Sequence, residues 1–240
     1  MNQIKTDQPA DVTVALQRGM AAQLNAWRES VLAHDLRLGW KIGFNDSDSQ
    51  QKHGLAGPVL GFLRRDRLLK PGDAFVVPNG ATIKAEAEVA IRVGCDVPAG
   101  TTVEVAEEAI AALAPAIEVV DVTHTLAGVE ALLSGNLYHA AVLLGPEYRS
   151  GVRDPRAVIS AQMRANGKKA GISEAHRLPL HLGEIVRHAA DTLGRHGETL
   201  RAGDWIISGS IIEPLVVAPG TVIEIDMPPL GRVALDFVPG

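Results

Sequence analysis

The chain has 240 residues, 28 acidic against 23 basic side chains for a formal charge of −5, and a single cysteine. That rules out an internal disulfide framework and a cysteine-rich zinc site, and the lack of a Lys/Arg block with only 4% aromatic residues rules out a nucleic-acid surface. No run reaches the ~18 apolar residues of a membrane span, and Met1–Asp7 lacks the basic-then-apolar pattern of a signal peptide, so a cytoplasmic protein with a frayed start is expected.

Residues 11–34 carry Leu16, Met20, Leu24, Trp27 and Val31 at steps of three and four, which predicts one helix with an apolar face. Beyond Gly39 short apolar runs alternate with Gly and Pro punctuation. Lys70-Pro71-Gly72-Asp73, Pro98-Ala99-Gly100-Thr101, Arg201-Ala202-Gly203-Asp204 and Ala218-Pro219-Gly220-Thr221 share one turn pattern. Glycine supplies the positive φ of a type II turn at its third position. Three of the four lead into β-branched or aromatic runs that read as strands. A short Ala-rich helix is expected over Val105–Leu113. A longer one is expected from Pro179 to His196, with Leu182, Ile185, Val186, Ala189 and Leu193 on one face and Gly197 as its stop. This order is not a regular βαβ alternation, so an α+β fold with mixed strands and outer helices is expected. Residues 1–38 would be an N-terminal helical appendage to a catalytic domain over 39–240.

The acidic residues carry the functional signal. Lys84–Val93 alternates, with Glu86 and Glu88 sharing one face. Side chains at i and i+2 lie ~6.5–7 Å apart on a strand, so both carboxylates can reach one cation. The competing reading is a half-buried strand showing a wet face to solvent. Glu118 interrupts the apolar run Pro115–Val120. A buried carboxylate needs a partner, and either a basic side chain or a metal would serve. Lys41, in Gly39-Trp40-Lys41-Ile42-Gly43, either snorkels to solvent or is an enclosed proton-transfer group. Three carboxylates and one such lysine would make a Mg²⁺ or Mn²⁺ site, because all-oxygen ligation selects hard cations. The histidines on the long helix never fall at i, i+4, and the histidines are read mostly as surface residues. Ser208-Gly209-Ser210 is not a GxSxG motif.

Several segments in this order resemble the fumarylacetoacetate hydrolase superfamily, in its 2-oxopent-4-enoate (2-hydroxypentadienoate) hydratase and 4-oxalocrotonate decarboxylase branch. They are Lys41-Ile42-Gly43-Phe44, Gln50–Leu55, Gly61-Phe62-Leu63, Ala85–Ala90, Pro115–Asp121, Gly203-Asp204, Ile207–Ser210 and Leu230–Val233. The resemblance implies a mixed β-sandwich roll with flanking helices. It implies Glu86, Glu88 and Glu118 as metal ligands, Lys41 and Asp66 as catalytic residues, and Ser208 and Gly209 near the substrate carboxylate. The implied activity is a metal-dependent hydratase of short 2-hydroxy-dienoic or 2-oxo-enoic acids, working as a homo-oligomer. Decarboxylation, C–C hydrolysis and a catalytically silent partner of a related enzyme are the alternatives. The chain departs from the common pattern at Val122-Thr123-His124, Gly135-Asn136 and Ile211–Pro214.

Overall fold

A computed structural model of the chain describes residues 9–149, 159–173 and 181–240. The N-terminal residues expected to fray, and Pro179 at the expected start of the long helix, lie outside them.

Helix α1 (Pro9–Ser30) leads through a 3₁₀ turn at Leu32–His34 into β1 (Arg37–Gly43). There follow α2 (Ser47–His53), β2 (Val59–Arg64), β3 (Leu68–Leu69), β4 (Ala74–Val77) and the long strand β5 (Ile83–Val93). Then come α3 (Val103–Glu108), β6 (Ile110–Asp121), α4 (Gly128–Ser134), β7 (His139–Leu144), β8 (Ala161–Ala165) and β9 (Lys168–Ser173). The last elements are α5 (Leu182–Arg195), β10 (Trp205–Ile207), β11 (Leu215–Val217), β12 (Thr221–Met227) and β13 (Gly231–Pro239).

The strands form two sheets. One runs β2-β1-β10-β5-β6-β7-β3, with β11 also paired to β5; the other runs β4-β13-β12-β8-β9. Pairing is mixed: β1–β10, β3–β7 and β13–β4 are parallel, and the other pairs are antiparallel. The α+β architecture expected from the sequence is the one found.

The recurring turns behave as their chemistry requires. Gly72, Gly100, Gly203 and Gly220 all have φ between 81° and 93°. Three of these turns hand the chain to β4, β10 and β12; the fourth leads to Thr102, whose side chain caps α3. The Ala-rich segment differs from its expectation. Helix α3 ends at Glu108, and Ile110–Leu113 belong to β6, paired with Val93–Ile91 of β5. Helix propensity is a preference of a few tenths of a kcal/mol per residue, and pairing along a central strand overrides it.

Helix α1 shares the main apolar cluster instead of standing apart, and the boundary drawn after residue 38 falls inside β1. Met20, Leu24, Trp27 and Val31 are buried. Full burial of such side chains contributes ~1.5–3 kcal/mol each. Trp27 meets Trp40 of β1 at a centroid distance of 5.0 Å, and the Arg37 guanidinium lies over both rings. Arg37 makes a bidentate pair with buried Asp204, which also accepts from Trp40 Nε1 at 3.1 Å. This network joins the helix, β1 and the start of β10.

Strand β5 is the axis of the molecule. Its odd residues, Ala85 to Val93, enter the main apolar cluster. Its even residues face a smaller cluster that includes Ala90, Ala114, Ala116 and Val142. Along one edge β10 pairs with Arg92–Ala90 and β11 with Ala85–Ile83. Between these two short strands the loop at 208–214 leaves the sheet. It is pegged to β5 by Ser208 N–H on Val89 C=O at 3.0 Å and Ile211 N–H on Ala87 C=O at 2.9 Å.

Candidate metal centre and its cleft

Glu86 of β5 stands directly opposite Glu118 of β6 in the antiparallel register, and Glu88 lies two residues along on the same face. Each of the three offers an oxygen within 4.8 Å of the others. Glu88 is opposite Ala116, whose small side chain leaves it room. The wet-face reading of β5 therefore gives way, because Glu88 and Glu118 are buried and only Glu86 and Glu118 of the three border the cleft.

Glu118 Oε1 accepts from two donors, Lys41 Nζ and His139 Nδ1, the latter at 2.8 Å. Glu88 Oε2 accepts from the Gly209 N–H at 2.7 Å. The other oxygens, Glu88 Oε1 and Glu118 Oε2, are buried with no hydrogen-bond partner among the described residues. Such orphaned carboxylate oxygens cost several kcal/mol unless a cation meets them. An all-carboxylate donor set with two unmet oxygens fits a hard divalent cation. The basic-partner reading of Glu118 is met by Lys41, and its second oxygen has no partner among the described residues.

Electrostatics within the cluster are polarised. Burial pushes Glu86 up to about 7, reinforced by the charge of Glu118 and opposed by Lys41. Burial also drives Glu88 well above the usual carboxylate range, with Glu118 and Glu86 adding to it. Glu118 is the exception. Burial acts on it in the same sense, but Lys41 and then His139 override that and hold it at about 2. Without a cation, the cluster keeps one firm anion and two carboxyls that hold their protons to higher pH than an ordinary carboxyl does.

Lys41 sits in the middle of β1, facing away from the buried Trp40 and Ile42. Its neighbour across the strand pair is Gly61, where a Cβ would fall 2.7 Å from Lys41 Cγ. Nζ also donates to the Leu137 C=O at 3.2 Å. Leu137 belongs to an unusual turn: Asn136, Leu137 and Tyr138 have φ of 50°, 52° and 63°. Three successive non-glycine residues in the left-handed region are strained. Asn136 pins them by accepting from Phe62 N–H at 2.7 Å and donating to Phe62 C=O at 2.9 Å.

Glu86, Glu118 and Lys41 lie at the wall of a cleft of ≈ 540 Å³, lined also by Phe44, Lys52, Lys84, Tyr138 and Ile211–Pro214. Gly209 lines it as well, but its N–H is engaged by Glu88. Ser208 is fully buried, its hydroxyl accepting from Val89 N–H and donating to Gly209 C=O, both at 3.3 Å. Asn45 Nδ2 holds the Ser208 C=O at 2.5 Å. This pair thus braces the Glu88 carboxylate, and both its hydroxyl and its N–H are engaged within the protein.

Asp66 does not join the cluster. It is exposed in the 3₁₀ turn at Arg65–Arg67, bound through both oxygens to Arg64 at 2.9 and 2.7 Å. The Arg64 hydrogen bond holds its carboxyl below the usual range. A basic side chain two residues away captures it at the surface end of β2. The histidines also differ from expectation. His139 is buried at the site, and His181 caps α5 by accepting from Gly183 N–H at 3.1 Å. His139, Asn45 and Asn136 were not found from the sequence; three consecutive left-handed residues leave no pattern of hydrophobic period.

The family described as fumarylacetoacetate (FAA) hydrolase C-terminal matches residues 30–238. The chain is 26% identical over 205 residues to a 2-hydroxyhexa-2,4-dienoate hydratase of Comamonas testosteroni, covering 83% of this chain and 78% of that one. It is 24% identical over 218 residues to a 4-oxalocrotonate decarboxylase of Pseudomonas putida, covering 84% and 77%. Among solved structures, the 4-oxalocrotonate decarboxylase of Pseudomonas putida G7, complexed with magnesium and adipate, superposes with a TM-score of 0.78. It is 21% identical and covers 97% of this chain and 99% of that chain.

Proposed function

This chain belongs to the fumarylacetoacetate hydrolase family, and from that premise we propose that it is a divalent-metal-dependent hydratase of short 2-hydroxy-dienoic acids. The observation that carries the reading is the convergence of Glu86, Glu88 and Glu118, with two unmet buried oxygens, beside Lys41 at a cleft wall. The relative named a dienoate hydratase supports the same substrate class.

Glu86, Glu88 and Glu118 would hold Mg²⁺ or Mn²⁺. When bound, the cation supplies Lewis-acid stabilisation for the carboxylate and 2-oxygen of the substrate. Lys41 is the group placed to move protons. The C2 hydroxyl of the dienoate gives up its proton, C5 gains one, and the conjugated 2-oxo-3-enoate results. Water then adds, its oxygen to C4 and a proton to C3, giving a 4-hydroxy-2-oxo acid. Glu118 and the Leu137 C=O hold the amine in place for this transfer. Phe44 and Ile211–Pro214 would enclose the tail and limit its length.

A second reading is decarboxylation of a 2-oxo dicarboxylate. It draws on Lys52 and Lys84, two cations on the cleft wall that suit a distal carboxylate. A cytoplasmic location and self-association complete the proposal; no described helix is long and apolar enough to cross a membrane.

The test is turnover of 2-hydroxypenta-2,4-dienoate with Mg²⁺ or Mn²⁺, with the product identified. A hydrated 2-oxo acid supports the hydratase, and CO₂ from a dicarboxylic substrate alone supports the second reading. Activity that survives EDTA, or survives in Glu118→Ala, overturns the metal role.

A further inference from the structure

His139 has no part in the chemistry above, yet it touches the centre of it. It opens β7 opposite Val120 of β6, two residues from Glu118. Its side chain is 2% exposed. Nδ1 lies 2.8 Å from Glu118 Oε1, while Nε2 is buried with no hydrogen-bond partner among the described residues. A carboxylate oxygen only accepts, so the proton of this bond sits on Nδ1.

Resting on the metal reading of the three glutamates, we propose that His139 is a positioning residue of that centre: its Nδ1–H, with Lys41, ties down Glu118 Oε1 so that Oε2 is the oxygen presented to the cation.

The histidine complements Lys41, whose amine is shared between Glu118 and the Leu137 C=O at the end of a stem with four rotatable carbons. A second donor on Oε1 fixes the carboxylate's rotation where a single flexible one would not. The imidazole has two torsions and sits in a closed site. Its backbone is fixed by the left-handed turn before it, itself pinned through Asn136 to Phe62. Outer partners of this kind typically alter metal affinity by ~10–100-fold.

The experiment compares Mn²⁺ affinity of the parent, His139→Leu and His139→Asn by titration calorimetry, with turnover left aside. Leucine keeps bulk and loses the donor; asparagine places an N–H₂ where Nδ1 stood. The expected result is weakening by at least about tenfold in His139→Leu, with His139→Asn within about threefold of the parent. Parental affinity in His139→Leu overturns the role, as does His139→Asn binding as weakly as leucine. A parent that takes up no Mn²⁺ overturns the metal reading and this one together. ¹⁵N NMR of the metal-free parent gives a readout independent of any variant's folding. A protonated Nδ1 agrees with the proposal, and a bare Nδ1 overturns it.

Discussion

Replacing Lys41 with methionine removes an ammonium while keeping the stem that fills the space beside Gly61. Glu118 then loses its strongest opposing partner, and burial is resisted by His139 alone. Against burial, Lys41 and then His139 hold Glu118 at about 2 instead of the ordinary 4.5. Removing the larger of these two partners leaves a buried carboxylate short of compensation, and breaking a buried pair in this way costs ~3–5 kcal/mol. For a urea slope of ~3 kcal/mol per molar, the midpoint falls by about 1 M. The assay is urea unfolding of parent and Lys41→Met in EDTA. The effect also has a pH signature. A depressed carboxyl contributes its stability above its unfolded value and loses it as pH falls through its folded value. The gap between the two proteins is therefore full at pH 7 and closes between 4.5 and about 2. A difference below ~0.5 kcal/mol at pH 7, within the scatter of a surface substitution, would refute the reasoning.

In EDTA, melting temperature should fall as pH rises from 4.5 through about 7, because folded Glu86 holds its proton more tightly than the unfolded chain does. Saturating Mn²⁺ should reverse that trend, and calorimetry should show proton release on binding; a flat metal-free profile contradicts the polarised cluster. Gly209→Ala should destabilise by ~1–3 kcal/mol and weaken Mn²⁺ binding, since φ is +89° and the new Cβ would fall 2.2 Å from Asn45 Nδ2; unchanged thermal melting and calorimetric titration would count against the brace. Asp66→Asn should change stability by less than ~1 kcal/mol, as exposed ion pairs do, and leave kcat within about twofold; a tenfold loss would return Asp66 to the reaction.

What the sequence makes legible here follows the range of each signal. Glu86 and Glu88 are readable because strand period is local: two residues apart means one face. Glu118 is readable because a charge inside an apolar run demands a partner. The register that sets Glu86 opposite Glu118 is not local, being fixed by an antiparallel pairing across the α3 connection. The Ala-rich stretch at 109–113 misleads because alanine favours helix in isolation and fits a crowded central strand equally well. His139 escapes because it opens an ordinary-looking apolar run, His139–Leu144, and its importance arises from the backbone turn that precedes it. Asp66 shows the converse, a suitable residue in a suitable segment claimed by a nearer arginine.

The two short strands flanking the loop at 208–214 have an evolutionary consequence. Ser208 and Ile211 peg that loop to β5 at Val89 and Ala87, the residues interleaved with Glu86 and Glu88. Beyond the second peg and before β11 begins, Ile212 is buried in the main apolar cluster, whereas Glu213 and Pro214 line the cleft without joining that core. These two are exchangeable between fixed staples. Substituting them would alter the cleft wall while the register of β5 stays as it was, so selection could retune the shape of the cleft without disturbing the strand that carries Glu86 and Glu88.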